Sequence, residues 1–308
     1  MQTNNPSSRG FIIVLTATIL WSTTGPLISY LVKTYELPSL VLAFWRDLFV
    51  AFGMLVGLLI FSRKLFALDR SHWGFMVWYG VSLAVFNSMW TFSVQYNGAA
   101  VATVLAFSSP AMTAVLSYLV FKERFSVVKI ISIALSFVGT ILVAGAHDPA
   151  MWKLNPLGII FGLMTGLMFA IYNLQGKAAS DKQIDSWTAL LYSFAFASFF
   201  LFFFNIGSDL FITKQPALSN LPWLGNSLPG WGLLFFLGVA PTLGGFGLYT
   251  LSIRYLSPTV SNLVATLEPV FTAVWSYFFL SEIMSGVQLG GSLLLMLGVI
   301  LLRTADRS

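Results

Sequence analysis

Of the 29 Asp, Glu, Lys, Arg and His side chains in this chain, three fall inside long apolar runs: Arg46, Asp47 and Glu268. An ionisable group deep in hydrocarbon costs at least ~2.5–3.5 kcal/mol on insertion scales, so each needs a partner, water or a function. Glu268 stands about eleven residues into its run, roughly 16 Å along a helix axis and near the middle of a bilayer. Pro269 follows it and leaves the Ala265 carbonyl without its usual amide donor. On one straight helix, Ser261, Ala265, Glu268 and Thr272 share a face suited to lining a cavity. Two roles are open for Glu268: a proton or substrate-amine acceptor, which makes it the coupling candidate, or a structural carboxyl bonded to a neighbouring helix. Arg46 and Asp47, about 100° apart on one helix, are expected not to face the same partner. Arg46 either holds a substrate carboxylate or anchors helices and snorkels to the interface; Asp47 reads as a local salt-bridge or hydrogen-bond partner.

Other polar, aromatic and helix-breaking residues interrupt the same runs. Pro26 follows Trp21-Ser22-Thr23-Thr24-Gly25 and frees the Ser22 carbonyl, which nearby hydroxyls can satisfy. The stretch Gly238 to Gly247 contains Pro241, Phe246 and four glycines including its two ends, and is the most helix-hostile part of any run. It is either a hinge with exposed carbonyls or a site of close glycine packing. Asn87, Trp90, Phe107, Tyr172, Asn173 and Tyr249 complete a candidate cavity lining with Trp21, Ser22 and Phe246. No clustered His, Asp and Glu, no nucleophile elbow and no phosphate-binding glycine loop accompanies them. The chain has no cysteine. The expectation is therefore no metal, no cofactor and no enzymatic activity.

The elements that must position these residues are duplicated. Ala99 to Glu123 and Pro258 to Glu282, 159 residues apart, match without a gap at nine of 25 positions, including Pro110/Pro269, Thr113/Thr272 and Tyr118/Tyr277. Each carries a proline near the middle of an apolar run and each ends in glutamate. Internal self-similarity of this kind marks a repeat architecture. In this register Ser109 is the counterpart of Glu268, so the site is asymmetric on a nearly symmetric scaffold.

Hydrophobic residues make up 57% of the chain and charged residues 9%, far below the ~25% charge of a soluble domain. Runs long enough to cross a ~30 Å core lie near 11–32, 39–61, 73–95, 99–121, 127–145, 156–176, 186–206, 230–253, 257–280 and 285–302. The fold expected is all-α and integral to the membrane, with ten transmembrane helices. Twelve loop Lys and Arg residues fall on one side and three on the other, which places both termini in the cytoplasm. Five spans per copy invert the second copy about an axis in the membrane plane, giving five-helix repeats at 1–150 and 151–308 around a central cavity. The stretch 207–229 reads as an outer interfacial loop. The net charge of +5 is loop charge and no nucleic-acid footprint. The expected partners are the lipid bilayer and a small-molecule substrate, with the chain a monomer.

The segments LEPVFTAVWSYFFLSE and SSPAMTAVLSYLVFKERFS resemble the repeat signature of EamA-type carriers of the drug/metabolite transporter superfamily. ATILWSTTGPL, LAFWRDLFVA and GGSLLLMLGVILL fit the same pattern in order, so the resemblance covers nearly the whole chain. It implies two inverted repeats and secondary transport of small metabolites, often amino acids, outward across the inner membrane. An uncoupled facilitative carrier is the alternative. Ser22 after Trp21 and Asp47 after Arg46 depart from the usual pattern.

Overall fold

The structure, a computed structural model, describes residues 6–122, 126–143, 145–148, 155–280 and 285–305. Among them all regular structure is helical. Among the described residues five helices are long and apolar enough to cross a membrane: Ser39–Phe61, Val104–Phe121, Pro156–Asp181, Ser186–Ile212 and Leu228–Ser252. This is half the expected number; helix breaks divide two of the other runs, and Val127–Val143 and Gly286–Leu301 are shorter apolar helices. The first run is split into α1 (Pro6–Trp21) and α2 (Thr24–Tyr35), and the ninth into α11 (Pro258–Ala265) and α12 (Glu268–Leu280). Between them in the chain come α3 (Ser39–Phe61), α4 (Trp73–Ala106), α5 (Ser109–Phe121), α6 (Val127–Val143), α7 (Pro156–Asp181), α8 (Ser186–Gly207), α9 (Leu228–Leu237) and α10 (Leu243–Ser252). The last helix is α13 (Gly286–Ala305).

The third and fourth runs, expected as separate spans, are joined in α4, whose backbone is helical for 34 residues. That helix is not straight. A Cβ placed on Gly162 of α7 would meet Ser93 Oγ at 2.8 Å and Leu105 Cβ at 2.6 Å. In a straight helix those two residues lie about 18 Å apart along the axis. The chain therefore turns back between Ser93 and Leu105, and both arms pack on α7.

Proline positions set the breaks. Helix α4 ends at Ala106 and α5 begins at Ser109 with Pro110 second; α11 ends at Ala265 and α12 begins at Glu268 with Pro269 second. Every one of these boundaries is displaced by the same 159 residues, and α5 and α12 each contain 13 residues. Glu123 and Glu282, which close the duplicated stretches, lie outside the described residues. Between α9 and α10 the helix widens into a π turn, Gly238–Thr242, around Pro241. Proline removes the amide that would reach the Leu237 carbonyl, and Thr242 Oγ1 donates to that carbonyl instead, at 2.7 Å.

Helices α6 and α13 pack through small residues. A Cβ on Gly139 would lie 2.7 Å from the Gly291 carbonyl oxygen, and one on Gly298 would lie 2.9 Å from that of Ser132. Gly298 and Gly291 are Gly139 and Ser132 displaced by 159 residues, so the two contacts are exchanged by the repeat register. Close backbone approach of this kind is how helices associate where lipid is as apolar as their side chains.

The stretch 207–229 is compact. A π turn at Ser208–Thr213 is followed by turns held by indole N–H groups. Trp45 Nε1 donates to the Leu221 carbonyl at 2.8 Å, Trp223 Nε1 to that of Tyr35 at 2.9 Å, and Trp231 Nε1 to that of Gly225 at 3.0 Å. These bonds fasten it over the ends of α2, α3 and α9, where Leu31, Leu37, Val41, Leu224 and Leu234 form a small second core.

Candidate functional site

The first helix break follows Trp21, and Trp21 and Ser22 are both buried. The hydroxyls of Ser22, Thr23 and Thr24 turn back onto the carbonyls of Ile19, Leu20 and Trp21 at 2.6, 2.8 and 2.6 Å, closing the end of α1. Pro26 is the third residue of α2, where it leaves the Ser22 carbonyl free of its helical donor. A distant helix supplies the replacement: Thr272 Oγ1 of α12 donates to the Ser22 carbonyl at 3.2 Å. Trp275 Nε1 donates to Ser22 Oγ at 2.9 Å.

Trp21 opens a ring cluster. Its ring centroid lies 4.8 Å from Phe246, 4.9 Å from Tyr249 and 6.4 Å from Phe169. Phe169 stacks on Tyr249 at 5.8 Å and on Tyr172 at 6.3 Å. Trp21, Tyr172, Tyr249 and Phe246 are buried, so residues expected to line an open cavity pack on one another here. Gly245 admits Trp21, since a Cβ there would lie 2.3 Å from the indole Cδ1. The Trp21 Nε1 is buried with no hydrogen-bond partner among the described residues. Trp90 and Phe107 are half-buried and join no ring contact of this cluster among the described residues.

A chain of neutral polar groups continues from the rings. Tyr249 OH donates to Asn173 Oδ1 at 2.8 Å, and Asn173 Nδ2 reaches Thr113 Oγ1 at 3.5 Å. Asn262 Nδ2 donates to Thr113 Oγ1 at 2.9 Å and to Ser109 Oγ at 3.2 Å. This network joins α5, α7, α10 and α11, all of it buried. Ser261 is not part of it: its hydroxyl accepts from Ser252 Oγ at 3.1 Å. The single stripe expected from Ser261 to Thr272 is thus divided, Ser261 facing α10 and Thr272 facing α1. The Thr266–Leu267 break between α11 and α12 separates residues that would share a face on one straight helix.

Arg46 and Asp47 do meet the same partner, against expectation. Arg46 Nη2 donates to Asn87 Oδ1 at 2.5 Å, Asn87 Nδ2 donates to Asp47 Oδ2 at 2.6 Å, and Arg46 Nε lies 3.3 Å from Asp47 Oδ1. The flexible arginine stem swings back over the 100° between the two side chains, and Asn87 offers a donor to one and an acceptor to the other. All three are buried, with Asp47 fully so. Snorkelling is excluded by this closed ring, and Asn87 has both ends of its amide engaged.

Glu268 is half-buried at the start of α12. Its carboxyl makes no hydrogen bond or ion pair among the described residues. Thr272 and Trp275 lie one and two turns beyond it on the same face, and both contact Ser22. Glu268 therefore stands one turn before that contact, beside the last turn of α1.

At the end of the molecule that carries Arg9, Lys64 and Lys182, the loops are tied together. Arg254 Nη1 lies 3.4 Å from Asp185 Oδ2, Thr188 Oγ1 donates to the Leu65 carbonyl at 2.7 Å, and Tyr192 OH to that of Phe66 at 3.0 Å. A cleft of about 270 Å³ between these loops is lined by Lys64, Asp69, His72, Lys182 and Asp185. The Asp69 carboxyl accepts from the Ser71 amide, which holds it below the ordinary carboxylate range.

The sequence profile of the EamA-like transporter family matches residues 8–145 and 156–304. The chain belongs to that family. An uncharacterized transporter of Archaeoglobus fulgidus is 26% identical over 298 residues, covering 94% of both chains. The uncharacterized transporter YwfM of Bacillus subtilis is 25% identical, over 96% of this chain and 94% of its own length. A crystal structure 15% identical in sequence superposes with a TM-score of 0.78 over 97% of this chain and 98% of the other, a likeness of fold. The protein is thus a multi-pass membrane transporter.

Sequence reasoning reached Trp21, Ser22, Ser109, Tyr172, Asn173, Phe246 and Tyr249, which the fold brings into one region. It missed Phe169, Thr113, Asn262 and Trp275. Asn262 carried a visible signal, as an amide in an apolar run; Thr113 carried one as the repeat mate of Thr272.

Proposed function

We propose that this transporter is a secondary carrier that moves small metabolites, amino acids or related compounds, outward by alternating access. Ten spans form two inverted five-helix repeats, residues 1–150 and 151–308, in the inner membrane with both termini cytoplasmic. The observation that most supports this is the exchanged pair of contacts between α6 and α13. Gly139 meets Gly291 as Gly298 meets Ser132, the relation a two-fold axis between repeats produces. The equal 159-residue displacement of the breaks before α5 and α12 adds half-helices on either side of the centre. Such discontinuous helices are where inverted-repeat carriers build their substrate sites.

On this reading the site is the ring cluster of Trp21, Tyr172, Phe246 and Tyr249, with Ser22, Asn173, Thr272 and Glu268. The α5–α11 network closes the side nearer the cytoplasm. Glu268 is the coupling acid. Arg46, Asp47 and Asn87 brace α3 against α4 and do not hold substrate.

Counterflow in proteoliposomes tests the reading: purified protein is loaded with single unlabelled metabolites, and uptake of the labelled counterpart is followed with and without an imposed pH gradient. Accumulation of at least one solute, accelerated by the gradient in wild type and indifferent to it in Glu268→Gln, is expected. Absence of counterflow for every solute in a panel of amines, amino acids and carboxylates overturns it.

A further inference from the structure

The charge balance of the interior points to a substrate class, given that the central region is the transport site. We infer that, within the small metabolites of that reading, the protein prefers organic ammonium ions to amino acids and carboxylates, with Glu268 as counter-ion and the Trp21 ring cluster as the aromatic part of the site.

Three charged side chains lie within the membrane-spanning runs. Two of them neutralise each other: Arg46 Nε and Nη2 are committed to Asp47 and Asn87, and Asn87 closes the ring onto Asp47. The third, Glu268, has no hydrogen-bond or ion-pair partner among the described residues. Among the described residues the site region is thus left with one unpaired acid and no unpaired base. A solute carboxylate entering it meets a like charge and finds no guanidinium or ammonium free to hold it, whereas a solute ammonium supplies the missing counter-ion.

The surroundings of Glu268 suit a cation as well. The face of α12 that carries it is turned to the break after Trp21 by the Thr272 and Trp275 contacts with Ser22, and Glu268 begins that helix one turn earlier. On the other side of that break Trp21 packs with Phe246, Tyr249 and Phe169, and aromatic faces of this kind attract desolvated ammonium groups when the cluster parts to admit a solute. The polar atoms between the rings, Asn173, Tyr249 and the unpartnered Trp21 Nε1, are neutral. They can select the body of the solute and carry no charge to select its sign.

Matched probes test this by calorimetry on the purified protein in detergent. Three bodies, ethyl, phenethyl and indolylethyl, are each offered as amine, amino acid and carboxylate. At least one amine is expected to bind, with its carboxylate undetectable and its amino acid weaker. Glu268→Gln should weaken that amine roughly tenfold or more, while Glu268→Asp keeps part of the affinity at unchanged melting temperature. If the variants do not fold, the wild-type order of the three charge classes decides alone. Binding of a carboxylate or amino acid in preference to its amine overturns the inference, as does an ammonium set that fails entirely. Either result leaves the carrier reading standing if counterflow of some other solute is observed, so the two fail separately.

Discussion

Asn262 Nδ2 lies 2.9 Å from Thr113 Oγ1, a bond between residues 149 positions apart that ties the short helix α11 to α5. Asn262 also reaches Ser109, and Asn173 reaches Thr113, so two buried amides join α5, α7 and α11. Repeat counterparts of Ser109 and Thr113 are Glu268 and Thr272, and there the partner is α1. The two halves of the site are therefore fastened differently, one by an amide network and the other by the Ser22 break.

Loosening the first of these fastenings should open the molecule on one side. Asn262→Leu removes both donors, and a cysteine at Ser109 should then react faster with a membrane-impermeant thiol reagent added from the cytoplasmic side. The chain has no native cysteine, so the background is clean. An unchanged rate from that side means the network is not a barrier to water.

The Arg46–Asp47–Asn87 ring should be costly to break and cheap to replace. Asp47→Asn leaves a buried guanidinium without its counter-charge, a change worth about 3–5 kcal/mol where one partner of a buried pair is lost. A marked fall in melting temperature is expected. Arg46→Met combined with Asp47→Leu should recover most of it, because no charge is then buried. Equal melting of Asp47→Asn and wild type would mean that the pair contributes nothing to the fold.

How these pieces stand to the sequence differs from residue to residue. The breaks before Ser109 and Glu268 are legible because proline acts within its own helix, on a carbonyl four residues back. Glu268 is legible because charge is rare in apolar runs. The Asn87 ring is not, because a helical wheel relates Arg46 to Asp47 and says nothing of a third residue arriving from another helix. The continuous backbone of α4 is likewise hidden: the runs 73–95 and 99–121 read as two spans, yet the hydrogen bonding stays helical to Ala106 while the axis turns. The division of the Ser261–Thr272 stripe follows from the break, which invalidates the single wheel on which the stripe was drawn.

The α6–α13 interface gives a comparison with an internal control. Gly139→Val and Gly298→Val drive side chains into backbone oxygens of the facing helix, and overpacking of this kind costs about 1–3 kcal/mol or more. Both should lower the melting temperature by similar amounts, since the contacts are exchanged by the repeat register. Gly57 of α3 has no atom within 4 Å of an added Cβ, so Gly57→Ala should be neutral or stabilising by up to about 1 kcal/mol. Unequal losses at Gly139 and Gly298 would weaken the two-fold reading.

The last expectation concerns the hinge between α1 and α2. The Ser22 carbonyl has lost its helical donor to Pro26 and receives the Thr272 hydroxyl instead, at 3.2 Å. A carbonyl served by another helix can be released when that helix moves, at a lower cost than breaking a backbone ladder. If transport separates α12 from α1, the bond is made in one state and absent in another. Thr272→Val then favours the separated state, and Thr272→Ser, which keeps the hydroxyl, does not. In proteoliposomes Thr272→Val should change the maximal counterflow rate several-fold, and by more than it changes the half-saturating substrate concentration, and Thr272→Ser should restore the wild-type rate. A purely structural role predicts another pattern: both kinetic constants unchanged per folded molecule, with only the melting temperature lowered. Thr272→Val and Thr272→Ser behaving alike would remove the hydroxyl from the cycle.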